Sequence, residues 1–95
     1  MTKYEQIATT IIKEQEQLMG SVAWQVASKV NGLHIINNET GGLSMDEGGD
    51  NRVVIDNLIN KYGGLFGEAA RRVCKEAVIA LIADLAPSEV PSSLQ

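Results

Sequence analysis

The sequence is poor in the residues most often used for chemistry. It has one cysteine, Cys74, and one histidine, His34, far apart along the chain. A single thiol excludes an internal disulfide. A structural zinc site draws most of its ligands from these two residue types, so neither zinc nor a histidine-dependent nucleophile is expected. The glycine pairs beginning at Gly41, Gly48 and Gly63 lack the spacing of a phosphate-cradling loop. The expectation is therefore a non-enzymatic protein without a cofactor or resident metal.

An excess of basic charge is also missing. Eight lysines and arginines stand against twelve acids, for a formal net charge of −4. Without a basic stripe the chain is a poor match to a phosphate backbone, and nucleic acid is not expected as a partner. No apolar run approaches the ~20 residues a membrane span requires, and no basic-then-apolar leader opens the sequence. The reading is no membrane and a cytoplasmic location. Both prolines, Pro87 and Pro91, lie near the C-terminus. Ala86-Pro87 is expected to stop the last helix, leaving 1–86 as one helical domain and 87–95 as a flexible tail.

What remains is 44% hydrophobic and 21% charged over 95 residues, enough for one globular domain with one core. The stretch Leu65 to Leu85 is the longest apolar-rich run with a helical period. Phe66, Ala69, Ala70, Val73, Cys74, Ala77, Ala80 and Leu81 share one stripe, and Cys74 on it reads as a small buried hydrophobe. Val78, Ile79 and Ile82 extend the opposite side, which Arg71 and Lys75 begin as polar. A helix that is apolar all round needs contacts all round.

At the other end, Thr2 followed by Glu5 fits a capping box. From Tyr4 to Val30 apolar residues recur at helical spacing; an unbroken helix there would be about 40 Å long. A globule of this size has a diameter near 32 Å, so the helix is expected to break near Gly20-Ser21. A shift of 47 positions lays Leu18, Gly20, Ala23 and Val26 over Leu65, Gly67, Ala70 and Val73, and Ile7, Ala8, Ile11 and Ile12 over Val54, Ile55, Leu58 and Ile59. The predicted fold is all-α, with four helices in two related helix-turn-helix units. Gly32 is placed to close the first unit, and Gly63-Gly64 is expected to end the third helix. Leu33 to Met45, turn-rich in its middle, is either a short β-hairpin or an irregular crossover.

If the first helix were continuous, Trp24 would project about 170° from its apolar stripe. A tryptophan there reads as a contact residue, with Gly20 leaving room for an approaching helix. Trp24, Gly20, Val78, Ile79 and Ile82 are thus the candidate interaction set. Arg71, Arg72 and Lys75 lie within about one turn and are a candidate anion contact, in competition with pairing to Glu68 and Glu76. Asp46, Glu47, Asp50 and Asn51 offer oxygen ligands for calcium but lack the spacing of an EF-hand loop. Asp50 or Asn51 also suits the cap of the following helix.

The run L-x-G-x-x-A, followed by valine, occurs in each half as Leu18 to Val26 and Leu65 to Val73. It resembles small helical modules at the ends of bacterial signalling proteins, where a similar run reads I-G-P-x-A; here Ser21 and Glu68 stand in place of the proline. The resemblance covers about a dozen residues in each half and implies an accessory or interaction role in bacteria, without a catalytic position. The expected function is protein interaction or regulation as a homodimer, with an unidentified protein as further partner. The alternative is a small-ligand or calcium-sensing domain.

Overall fold

A computed structural model describes residues 2–37, 39–46 and 48–95. Asn38 of the expected turn and Glu47 of the acidic connection lie outside the described residues. The first helix, α1 (Lys3–Met19), begins at the capping box: the Thr2 hydroxyl accepts from the Glu5 amide at 3.2 Å and the Glu5 carboxylate accepts from the Thr2 amide at 2.9 Å. The other Glu5 oxygen accepts from the Met45 amide at 3.3 Å, which ties the helix start to the central connection. These bonds, that of the Thr2 amide foremost, hold the Glu5 carboxyl below its ordinary value.

Gly20 ends α1. Its φ of 71° and ψ of −153° belong to a region essentially restricted to glycine, and its amide closes the helix by donating to the Glu16 carbonyl at 2.8 Å. The chain restarts as α2 (Val22–Ala27), and Gly32, at φ 87°, redirects it into a hairpin. Strands β1 (Leu33–Asn37) and β2 (Gly42–Met45) pair antiparallel, with an irregularity between Ile35 and Asn37. Leu33 and Leu43 turn inward and seat this ribbon on the helices. The domain is thus mostly helical rather than all-α, because a two-stranded ribbon is stable once one face is buried.

Asp50 caps α3 (Asn51–Phe66) by accepting from the Arg52 amide at 3.0 Å. The helix was expected to stop at Gly63-Gly64, and it does not. It runs through them, and Gly63 leaves the space that the Arg71 side chain fills against the helix. The corner falls instead at Gly67, φ 89° and ψ −173°, whose amide donates to the Gly63 carbonyl at 2.8 Å. The two corners share one backbone geometry 47 positions apart. Then follow α4 (Glu68–Ala77) and a single turn, α5 (Ile79–Ile82), so the stretch 65–85 is not one helix. It breaks at Val78, at φ −116° and ψ 7°, which turns α5 to keep Val78 inside the core.

The same offset governs burial. Ile7, Ala8, Ile11, Ile12, Gln15, Ala23 and Ala27 are buried, and so are Val54, Ile55, Leu58, Ile59, Tyr62, Ala70 and Cys74. Two buried hydrogen bonds then cross between the halves in opposite senses. Gln15 Nε2 donates to the Ala70 carbonyl at 2.9 Å, and the Tyr62 hydroxyl donates to the Ala23 carbonyl at 2.7 Å. Each first helix thereby grips the start of the other half's second helix.

The C-terminal segment departs from the expected flexible tail. It forms two short 3-10 turns, Pro87–Glu89 and Ser92–Leu94, with Pro91 and Leu94 buried. Asp56 of α3 accepts from the Ser92 hydroxyl at 2.8 Å and the Ser93 amide at 2.9 Å. The apolar residues interspersed in the segment give it a face to bury, which its small polar residues conceal in composition. The longest dimension of the whole is 32 Å.

A Cβ at Gly20 or Gly67 would meet nothing within 4 Å, so any cost of alanine there is a backbone cost. Gly20→Ala and Gly67→Ala are each expected to lower stability by about 1–3 kcal/mol. Urea denaturation followed by circular dichroism measures both, and unchanged midpoints would contradict the shared corner geometry.

Candidate functional site

Of the candidate contact residues, two lie in the core. Trp24 is only 3% exposed, and its indole Nε1 donates to Glu16 Oε2 at 2.8 Å. Its outward projection held only for a continuous helix. The Gly20 corner re-aims α2, and the ring turns inward. Val78 is fully buried at the break before α5, which corrects its placement on an outer face. Ile82 is partly buried against the core, while Ile79 is 59% exposed and Gly20 lies at the surface.

The candidate anion residues do come together. Arg71, Arg72 and Lys75 line a shallow cleft of about 270 Å³ with Glu68 and Ser93. The Arg71 guanidinium is committed to neighbours, with Nε 3.1 Å from Glu68 Oε1 and Nη1 2.5 Å from Asn60 Oδ1. Arg72 and Lys75 point to solvent as ordinary surface cations.

The acidic connection is engaged in the fold. Asp46 pairs with His34 across the hairpin, and Asp50 combines its capping role with an ion pair to Arg52 Nη2 at 3.0 Å. Hydrogen bonding from Arg52 holds the Asp50 carboxyl below its ordinary value. Asn51 Oδ1 is buried without a hydrogen-bond partner among the described residues. Glu47 lies outside them. No group of three or more His, Cys, Asp or Glu side chains suited to a metal gathers among the described residues. Cys74 is buried beside Gln15, whose Nε2 lies 3.2 Å from Sγ, and burial pushes its thiol up to about 11.

The surface features are elsewhere, at the glycine corners. Leu18 is 64% exposed and Leu65, 47 positions on, is 59% exposed; Val22 and Phe66 beside them are also exposed. A corner exposes such residues because the turning chain has no third element packed outside it. Phe66 and Ala69 were expected on the core stripe, but the stripe of α4 is set by Ala70 and Cys74.

Next to the corners lie two grooves. In one, of about 400 Å³, Leu18, Val73 and Ala77 form an apolar floor between Glu14 on α1 and Glu76 on α4. In the other, of about 340 Å³, Val30 lies between Lys29 and Lys61, with Asn31, Asn57 and Asn60 around it. Neither groove was singled out in the sequence. The charged residues of each come from opposite halves of the chain, so spacing along one helix gives no sign of them.

No family model, curated protein or solved structure matches the chain. Among the described residues no helix is long and apolar enough to cross a membrane.

Two outcomes follow from the buried thiol and the engaged carboxylates. Cys74 should react with a thiol reagent at neutral pH only after the chain is unfolded by denaturant; rapid modification of the folded protein would contradict its burial. Millimolar calcium should leave the melting temperature unchanged, because Asp46 and Asp50 are already engaged by His34 and Arg52. A concentration-dependent rise would instead indicate binding to the folded state.

Proposed function

We propose that the chain is a non-enzymatic helical interaction domain, built of two related helix-turn-helix units and acting as a homodimer in an accessory or regulatory role. The observation that carries this reading is the pair of uncovered apolar corners, Leu18 with Val22 and Leu65 with Phe66. These large apolar side chains, Leu18 and Leu65 at matching positions of the two halves, lose solvent-exposed apolar area when another surface covers them, at about 25 cal/mol per Å². A stable interface needs about 800 Å² from each partner. The chain exposes 5250 Å², so such a contact is within its reach. Ile79 adds a further apolar point.

The likeness of the two L-x-G-x-x-A runs to helical modules of bacterial signalling proteins agrees with an accessory role. A further protein partner belongs to the same reading. The calcium-sensing alternative is less favoured, since Asp46 and Asp50 are paired within the chain. Trp24 takes no part in the surface, and the interaction is assigned to the corners in its place.

Sedimentation velocity over a range of protein concentrations should show a reversible shift from monomer to a larger species. Leu18→Asp with Leu65→Asp should move that transition to at least about tenfold higher concentration, which is ~1.4 kcal/mol of association free energy. A wild-type chain that stays monomeric throughout overturns the reading.

A further inference from the structure

We infer that the Glu14/Glu76 groove is the docking site for the Lys29/Lys61 groove of a second copy of this chain. The inference rests on the self-association proposed above and names the surfaces that perform it. Its starting point is an inversion of charge within a shared pattern. The offset of 47 positions that relates the glycine corners and the buried residues also carries Glu14 onto Lys61 and Lys29 onto Glu76. Two carboxylates in one half-to-half groove are answered by two ammonium groups at the corresponding positions of the other.

The grooves also correspond in construction. The acidic one lies between the C-terminal half of α1 and the end of α4. The basic one lies between the C-terminal half of α3 and the segment just after α2. Each pairs the first helix of one half with the end of the second-helix region of the other, further along the crossing whose start the Gln15 and Tyr62 hydrogen bonds hold. Both grooves thus carry one charge from each half of the chain, at positions related by the same offset and of opposite sign.

The occupant is a second copy because the chain itself carries the complementary set. A net charge of −4 opposes close approach of two identical chains, and a local pairing of opposite sign is what overcomes it at the point of contact. When the acidic groove of each copy meets the basic groove of the other, both contacts form in one two-fold dimer and the interface is isologous; if only one contact forms per pair, the association is head-to-tail and continues as an open chain. Leu18 and Ala77 on the acidic floor supply apolar area, and the charges supply register and partner choice.

The test is a charge exchange followed by sedimentation velocity. Glu14→Lys with Glu76→Lys makes both grooves basic, and Lys29→Glu with Lys61→Glu makes both acidic. Each double variant alone should associate at least about tenfold more weakly than wild type, since like charges then face each other. An equimolar mixture should recover association, because a basic groove of one variant then faces an acidic groove of the other. Wild-type association should also weaken as salt is raised from about 0.01 M to about 1 M, which shortens the screening length from about 30 Å to about 3 Å. Thermal melting by circular dichroism establishes that both variants are folded. Wild type that associates while both folded variants associate equally well overturns the groove assignment and leaves the self-association reading intact. Folded variants that lose association without recovery on mixing also overturn the assignment. A monomeric wild type overturns both.

Discussion

The structure depends on two sharp corners that only glycine makes cheaply. A helix from Lys3 through Ala27 would be longer than the 32 Å the molecule spans, so the chain must fold back on itself. Gly20 and Gly67 do this with positive φ and nearly extended ψ. The closing amide of each corner is satisfied by a carbonyl four residues earlier, which completes the last turn of the helix before it. Once the corners are set, each short second helix lies across the first helix of the opposite half. The core is the set of small and branched residues that this crossing brings together.

The crossing is fixed by polar groups as well as by packing. The Gln15 amide and the Tyr62 hydroxyl each reach a helix carbonyl in the other half, at burial where an unmade bond costs more than a made one gains. Among the described residues Gln15 Oε1 has no partner, so this bond carries a cost that the Tyr62 bond does not. Tyr62 is the cleaner anchor. A buried hydrogen bond of this kind contributes about 1 kcal/mol net, yet it selects one register of crossing against its neighbours. Arg71 has a comparable positioning role on the surface. It fills the space above Gly63 and ties α4 to α3 through Asn60, while Glu68 pairs with it from its own helix.

Much of the fold was legible because it follows from local rules. The Thr2–Glu5 capping box, the Asp50 cap, the break at Gly20 and the ribbon between Leu33 and Met45 each rest on residues adjacent in sequence. The errors share one cause, the treatment of helices as straight and independent. Trp24 was assigned outward on a helix that turns two residues after Gly20, and Val78 on a helix that breaks at Val78 itself. Gly63-Gly64 suggested a stop, but Arg71, which shapes that site, arrives from the next helix. The candidate surface was less legible still. Leu18 and Phe66 read as core, and the grooves have no signature within any one helix because their walls come from different halves.

The sequence by itself determined the capped helix starts and the turn at Gly20, that two stretches 47 positions apart carry the same pattern, and that one cysteine and one histidine lie far apart along the chain. Caps, glycine corners and helical periodicity act over a few residues, so their physics is written in neighbouring letters. Only the tertiary structure decided which apolar residues stay in water and which charges face one another. Burial depends on what lies across from a side chain, and for Leu18, Trp24, Glu14 and Lys61 that is settled by how the two halves cross.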